Sequence, residues 1–419
     1  MMVDSYTIFV YVISYIGLFT ACFYLLSLRA YYSKPQPRST LLPSVTIIIP
    51  AYNEEVTIAR TIDSALALNY PRAQLEIMVI DDGSKDRTYA LAKDYQQNGV
   101  HVFTKPNGGK GSALNFAIHR SKSEIIVTMD ADTFVDPQCL RKMVALFHSP
   151  DVMAVTPSMV VHKARTFWQK VQQVEYSLGV YLRKAFSSIN VMHVTPGAFS
   201  AYRRSFFVTY GGFDEHNITE DTEIALRIQD HDYVIENEPH AIIYTVAPRS
   251  FRELLGQRRR WYTGLLKNVW AYRRLFGLRK GLIGIFSLPL AFFTILSTVF
   301  LTSYFFIKTF DNLRHELNYL QSINFDFINT LDLNLYIVRY FAYMLFSYKI
   351  FLFSLLFTIF IGAYLYFSKR HVPKQEGLFS GFFLFIFFYG ILFAFWWIVS
   401  FFYTLTNRKV VWRTVKHAD

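Results

Sequence analysis

The sequence predicts an α/β domain with a mostly parallel sheet, joined to an α-helical region that crosses a membrane. Three observations support this prediction. Four long runs contain no charged residue, a long segment of soluble composition separates the first run from the second, and this segment begins with alternating short apolar strands and helices. Such alternation is typical of a parallel sheet that is covered by helices on both faces.

Each uncharged run can cross the hydrocarbon layer as a helix, which needs roughly 20 apolar residues. The runs cover residues 7–28, 282–307, 350–367 and 378–404. The first run lacks a small-residue cleavage site and is followed by basic residues, so we expect a retained anchor rather than a signal peptide. The stretch 335–348 is compatible with a further span or a re-entrant helix, although it contains Arg339.

These features divide the chain into five parts. We expect a membrane anchor at 1–30, a soluble domain at 31–248 and basic interfacial helices at 249–280. About three membrane helices follow at 281–407, and a basic tail at 408–419. Basic residues follow the first run and also separate the third from the fourth, which predicts that the soluble domain is cytoplasmic. With four spans the basic tail would lie outside, so the number of spans stays open.

The net charge of +12 is concentrated beside the membrane. Between Arg249 and Lys280 there are ten Lys or Arg residues and one Glu, interleaved with aromatic residues. This pattern predicts a segment that lies on anionic lipid headgroups, and we expect no nucleic-acid partner. The two cysteines, Cys22 and Cys139, provide no disulfide framework, which fits a reducing cytoplasm.

Within the soluble segment, ligands are expected beyond the carboxyl ends of the strands. The apolar pattern predicts strands at 45–49, 76–80, 100–104 and 125–129, with helices at 55–68, 87–97 and 112–119. A later helix, beginning near residue 167, has one broad apolar face. This face is compatible with packing on the domain core or with lying on the membrane.

Two acidic motifs follow predicted strands. Asp81 and Asp82 precede a glycine turn and suit hydrogen bonds to a base or ribose, although a helix N-cap also explains them. Asp130 and Asp132 flank one alanine, and a bend there would let both approach one ion. Carboxylate oxygens suit Mg²⁺ or Mn²⁺, whose remaining ligands come from water and a diphosphate.

Three further motifs have both structural and chemical explanations. The Asn-Gly-Gly-Lys-Gly stretch lacks P-loop spacing, but it can place Lys110 over a phosphate at a helix start or form a surface turn. The Thr-Glu-Asp stretch that ends at Asp221 precedes an amphipathic helix. The Gln-Arg-Arg-Arg-Trp stretch ending at Trp261 combines an amide, a guanidinium for phosphate and an indole on which a sugar can stack, although membrane anchoring also explains it.

In this order the motifs resemble those of the family 2 glycosyltransferases. The likeness covers residues 45 to about 270. Within the family, the motifs look most like those of the processive synthases of poly-β-1,6-N-acetylglucosamine, cellulose, chitin and hyaluronan. The resemblance implies a GT-A fold, a UDP-sugar donor and a divalent cation. It also implies a growing polysaccharide as acceptor, membrane lipids and accessory export subunits as partners, and a multi-pass location in the cell membrane.

The resemblance assigns roles to individual positions. Asp221 would be the catalytic base, and Asp132 would coordinate the metal. The nucleotide sugar would be bound by Ala51, Tyr52, Glu54, Asp81, Asp82, Lys110, Asp130, Gln257 and Arg260. The acceptor would be bound by Gly197, Ala198, Phe199, Glu220 and Trp261.

The implied reaction is a single displacement that inverts the anomeric centre and gives β-linkages. UDP-N-acetylglucosamine is the expected donor, because the Thr-Glu-Asp and Gln-Arg-x-Arg-Trp motifs look closest to the poly-N-acetylglucosamine synthases. Two alternatives remain. One is an enzyme that adds a single sugar to a ceramide or polyprenyl-phosphate lipid, and the other is a non-catalytic membrane scaffold or transporter.

Overall fold

The computed structural model of the protein describes residues 5–322, 339, 349–372, 378–406 and 408. The soluble domain is built on one eight-stranded sheet with the spatial order β3-β2-β1-β4-β7-β6-β8-β5. In chain order the strands are β1 Val45–Ala51, β2 Leu75–Asp81, β3 His101–Thr104, β4 Ile125–Met129, β5 Thr133–Val135, β6 Val152–Val161, β7 Phe199–Arg203 and β8 Val234–Thr245.

The first four strands pair with one another in parallel, as the sequence predicts. The second half of the sheet is mixed, because β7 is antiparallel to both β4 and β6, and β5 is antiparallel to β8. The strands β5 to β8 are absent from the predicted set. The helix α4 Lys110–Ile118 lies within two residues of its prediction, while α2 Ile58–Leu66 and α3 Thr88–Lys93 are shorter than predicted.

Other short helices connect the later strands. They are α5 Cys139–Val144, α7 Arg204–Tyr210 and α8 Glu220–Asp230. The sheet buries apolar side chains on both faces: β1 contributes Ile47 and Ile49 to one core and Ile48 to the other. This alternation explains why the β1 sequence is apolar throughout.

The long helix α6 Phe167–Ser188 is covered on two sides. Val180 packs with Val160 of β6, whereas Tyr181 stacks on Tyr364 with ring centroids 4.0 Å apart. The helix therefore packs on the domain core, which confirms the first of the two expectations, and its other side contacts the apolar helices. Its first turn is fixed by a capping box between Thr166 and Gln169, which satisfies backbone N–H groups there.

Four helices in the described part of the chain are long and apolar enough to cross a membrane. They include α1 Ser5–Tyr32, α10 Leu288–Ser322, α11 Lys349–His371 and α12 Leu378–Leu405. The second continues as a helix to Ser322, beyond the uncharged run that ends at residue 307. Except for residues 339 and 408, the extra span expected at 335–348 and the basic tail expected at 408–419 lie outside the described residues.

The helix α9 Phe251–Ala271 lies between the soluble domain and these apolar helices. On one side its Asn268 donates hydrogen bonds to the backbone and hydroxyl oxygens of Thr219, directly before α8. On the other side Tyr262 stacks on Trp397 of α12, with ring centroids 4.5 Å apart. The position of α9 therefore couples the site region to the apolar helices.

Candidate active site

The sheet brings the ends of three strands together. Ala51 at the end of β1 is paired with Asp81 at the end of β2, and β4 lies on the other side of β1 and ends at Met129. The Asp-Ala-Asp motif directly follows β4. Half-buried Tyr52 and Glu54 follow β1, so three of the sequence motifs meet at the carboxyl edge, where ligands of such sheets bind.

Asp82 holds the glycine-rich loop. Its carboxylate accepts hydrogen bonds from the backbone N–H groups of Gly108 and Gly109, at 3.0 and 2.7 Å, and from Lys105 Nζ at 2.8 Å. Gly109 has φ of +87°, a conformation that side-chain-bearing residues rarely adopt. The neighbouring Asp81 is buried and accepts a hydrogen bond from the Thr104 hydroxyl. Here Asp82 positions the loop that carries Lys110.

Lys110 lies at the centre of the site. Its Nζ is 2.7 Å from Asp130 Oδ1 and 2.8 Å from Glu220 Oε1. Burial alone would lower the pKa of this lysine, but the carboxylates of Asp130, Glu220 and Asp221 together raise it above the ordinary value. Lys110 therefore stays protonated and joins three motifs that are far apart in the sequence.

Gly197 leaves room for this lysine. A Cβ added at Gly197 would lie 2.6 Å from Lys110 Nζ and 3.7 Å from Asp221 Cβ. The next two residues point away from the cluster, since Ala198 and Phe199 are buried in the hydrophobic core of the domain. Of the expected acceptor-lining stretch, Gly197 borders the site, whereas the Phe199 side chain supports the sheet because it is fully buried.

Three carboxyl groups in the cleft have raised pKa values. Burial raises the pKa of Asp221, and the charge of Glu220 raises it further, while Lys110 and Arg260 partly offset both effects. Burial and the charge of Asp130 raise the pKa of Asp132. Burial, followed by the charge of Asp132, raises the pKa of Glu54 to about 8. Negative charge is therefore in excess here, and the site favours binding of a cation.

The donor atoms fit a metal that binds together with a diphosphate. Among the described residues, no cluster of three or more His, Cys, Asp or Glu side chains could hold an ion alone. Mg²⁺ and Mn²⁺ need only one or two carboxylates when phosphates and water supply the other ligands. Asp132 meets this requirement, because its charge is disfavoured by burial and by Asp130 in the absence of a cation.

The α9 helix contributes the remaining side chains. Arg260 is close enough to Asp221 to lower the pKa of that carboxyl group. Gln257 Oε1 is buried without a hydrogen-bond partner in the described part of the protein, so a ligand could donate to it. Trp261 is half-buried and packs against the sheet core.

Sequence reasoning missed a buried ion pair beside Trp261. Arg258 is 2 % exposed, and its guanidinium lies 2.7 Å from Glu175 Oε2. A weak signal was available, since Glu175 is the one acidic residue in the α6 sequence. The sequence alone could not identify its partner, because residues 175 and 258 meet only after the chain has folded.

Comparisons with known proteins agree with this arrangement. Residues 46–211 match the family model described as "Glycosyl transferase family 2". The chain is 31 % identical over 252 residues to the poly-β-1,6-N-acetyl-D-glucosamine synthase of Staphylococcus epidermidis, covering 57 % of this chain and 61 % of that protein. The synthase of the same name from Staphylococcus aureus strain COL is 31 % identical over 235 residues, covering 55 % and 57 %. The chain thus spans about three fifths of these relatives.

A solved structure shows the same fold over almost the whole chain. The mannosyltransferase PcManGT of Pyrobaculum calidifontis, in complex with GDP-Man and Mn²⁺, superposes with a TM-score of 0.58. The likeness covers 95 % of this chain and 98 % of that protein at 18 % sequence identity. The expected GT-A sheet with a helical C-terminal region is therefore confirmed.

Proposed function

We propose that this chain, which contains a glycosyltransferase family 2 domain, is an inverting, metal-dependent synthase that polymerises a β-linked polysaccharide. The proposed donor is UDP-N-acetylglucosamine. One observation carries the proposal: Lys110 brings the Asp-Ala-Asp and Thr-Glu-Asp motifs together around a single buried charge. Asp221 thereby lies in the same cleft as Asp132, so that a base and a metal ligand can act on one substrate.

The donor would occupy the carboxyl edge of the sheet. We assign the nucleoside to Ala51, Tyr52, Glu54 and Asp81, with Asp82 acting through the loop that it holds. Gln257 and Arg260 would bind the diphosphate, because an arginine can donate two parallel hydrogen bonds to phosphate oxygens. A divalent cation held by Asp132 would offset negative charge on the departing diphosphate. The names of the two staphylococcal relatives support the choice of sugar.

Asp221 would accept the proton of the attacking acceptor hydroxyl. The acceptor oxygen then forms a bond to the anomeric carbon, and UDP leaves with the electron pair of the broken bond. A raised pKa makes Asp221 a stronger base than an exposed aspartate. Glu220 is already paired with Lys110 at 2.8 Å, which supports a mechanism without a covalent intermediate on Glu220. A single displacement with inversion follows.

The apolar helices support a role in the membrane. Tyr32 at the end of α1 lies near His371 at the end of α11, with ring centroids 6.4 Å apart. The His371 ring is also near that of His240 in β8, with centroids 4.7 Å apart. Both helices thus end beside the soluble domain, with basic residues in their last turns. We propose that this domain faces the cytoplasm. Protease digestion of the domain in right-side-out vesicles would contradict this orientation.

Processive synthesis and export are the further parts of the proposal. The α9 helix carries Gln257, Arg260 and Trp261, and Tyr262 stacks directly on α12. A product that leaves Trp261 therefore meets apolar helices at once, and accessory subunits would complete its export.

The deciding experiment is a donor screen with the purified full-length protein, with Mn²⁺ or with EDTA, followed by mass analysis of the products. A long N-acetylglucosamine polymer formed only with the metal is the expected result. Single sugars on a polyprenyl-phosphate or ceramide acceptor would replace the synthase with the lipid-transferase alternative. Failure to release UDP from any donor would leave only the scaffold or transporter.

A further inference from the structure

We propose that Arg258 is a positioning residue that holds the Trp261 indole in the orientation required for acceptor binding, with Glu175 as its anchor. The proposal rests on the proposed function, which places the acceptor saccharide at Trp261. It concerns two neighbours of Trp261: Glu175, which lies outside the motifs, and Arg258, which lies inside the Gln-Arg-Arg-Arg-Trp stretch but has no role assigned to it there.

The geometry joins three side chains from two helices. The Arg258 guanidinium lies 4.3 Å from the centre of the Trp261 ring, and its Nη2 donates to Glu175 Oε2 at 2.7 Å. Arg258 and Trp261 are three residues apart on α9, so their side chains are neighbours on the helix surface. Glu175 reaches them from α6, which is anchored on the sheet.

This contact restricts how Trp261 can move. A planar guanidinium stacks on an indole face by cation–π attraction, and a lysine ammonium lacks that planar surface. Arg258 is buried and pairs with Glu175. If the guanidinium left the ring, the Glu175 carboxylate would lose its counter-ion, which is costly inside a protein. The guanidinium also covers one face of the indole, so a saccharide ring can stack only where Arg258 leaves the ring uncovered.

The cluster is connected to both ends of the proposed reaction path. Towards the cleft, the Tyr176 hydroxyl lies within the electrostatic range of Arg258, Glu175 and Asp132. Towards the apolar helices, Tyr389 of α12 hydrogen-bonds to the Glu175 carboxylate. The neighbours of Trp261 therefore interact electrostatically with the proposed metal ligand on one side. On the other side they hydrogen-bond to the helix along which the product would leave.

The test compares Arg258→Lys with the wild-type full-length protein. Lysine keeps the charge that pairs with Glu175 but cannot stack as a plane. With UDP-N-acetylglucosamine and a β-1,6-linked N-acetylglucosamine oligosaccharide, we expect the KM for the oligosaccharide to rise by about 2- to 30-fold, the range expected for one cation–π contact. UDP binding and the KM for the donor should stay unchanged, because no donor contact is altered.

Two controls separate positioning from a general structural role. Arg252→Lys changes an exposed arginine on the same helix and should leave both KM values at the wild-type level. In a Trp261→Ala background, Arg258→Lys should have no further effect on the oligosaccharide KM, since Arg258 acts through the indole. An additional loss in that background would overturn the proposal.

Other outcomes are equally decisive. A wild-type oligosaccharide KM in Arg258→Lys would overturn the positioning role, and so would a parallel loss of UDP binding. If Arg258→Lys does not fold, Glu175→Gln tests the same contact from its anchor and should also raise the oligosaccharide KM selectively. Failure of the wild-type protein to use any saccharide acceptor would instead refute the proposed function.

Discussion

Lys110 controls the charge of the cleft at the scale of single residues. Its ammonium group compensates Asp130 and Glu220 directly and also lowers the pKa of Asp221. In contrast, Asp132 and Glu54 have pKa values above the ordinary range, because burial and like charges outweigh any nearby cation. Lys110 thus offsets only part of the carboxylate charge, and the charge that remains favours binding of a cation.

The proposed base can be tested by Asp221→Asn. Asparagine has nearly the same shape but cannot accept the proton, so we expect turnover to fall by roughly 10²- to 10⁴-fold. UDP affinity should stay near the wild-type value, since the proposed base acts on the acceptor hydroxyl and not on the nucleotide. Steady-state turnover and UDP titration would be measured beside Asp94→Asn, which changes an exposed aspartate. Near-normal turnover would remove the assigned role.

The pH dependence of activity should respond to Arg260. A base must be ionised to act, so activity declines as pH falls through the raised pKa of Asp221. Because the charge of Arg260 lowers that pKa, Arg260→Gln should move the acidic limb of the kcat/KM profile to higher pH. The shape of the profile is compared after normalisation, because the loss of a phosphate contact also lowers its height. A limb that stays in place or moves to lower pH contradicts the assignment.

At the scale of elements, α9 sets the position of the Thr-Glu-Asp motif. Asn268 donates to Thr219, and the absence of a side chain at Gly264 lets the two elements approach closely. A Cβ at Gly264 would lie only 2.5 Å from Thr219 Cγ2. The start of α8, and with it Asp221, is therefore located by backbone contact with α9 as well as by its own strand connections.

Gly264→Ala should consequently impair catalysis through position alone. The added methyl group must displace Thr219, and a shift of about 1 Å near the chemistry can cost roughly 10²-fold in rate. Gly256→Ala is the matched control on the same helix, since an added Cβ there meets no atom within 4 Å. The control should keep wild-type turnover. Equal turnover in the two variants would show that the close approach does not position Asp221.

At the scale of the whole molecule, α6 holds the soluble domain on the apolar helices. Its inner side contacts β6 and β8, and its outer side contacts α1, α11 and α12. Lys184 of α6 is buried and donates to the Asn237 backbone oxygen of β8 and to the Tyr31 hydroxyl of α1. The orientation of the cleft relative to the apolar helices therefore depends on α6 as well as on α9.

Close packing of α6 against α12 should be needed for stability. A Cβ at Gly381 of α12 would lie 2.8 Å from the Lys170 backbone oxygen and 2.9 Å from Val174 Cγ2. Gly381→Ala should therefore lower the melting temperature in detergent, with a cost of about 1–3 kcal/mol that is typical of overpacking. Gly390→Ala on the same helix meets no atom within 4 Å and is the control. A similar melting temperature in the two variants would contradict close packing.

Local patterns in the sequence determined several features that the structure confirms. The apolar β-branched runs predict β1 to β4, because such strands are buried on both faces. The uncharged runs likewise predict four long apolar helices, since length and composition are sufficient for that inference. The order of the short polar motifs indicated the resemblance to family 2 glycosyltransferases, and these motifs follow strands or precede helices, except for the Gln-Arg-Arg-Arg-Trp stretch inside α9.

Only the tertiary structure decided which of these side chains meet. Residues 110, 130 and 220 converge because β4 and β7 are neighbours in the sheet, and local sequence does not encode that pairing. The same holds for the loop contact of Asp82, the burial of Phe199 and the ion pair of Arg258 with Glu175. Each depends on which segments become neighbours across the fold, whereas the local sequence specifies only what each segment can bury or bond.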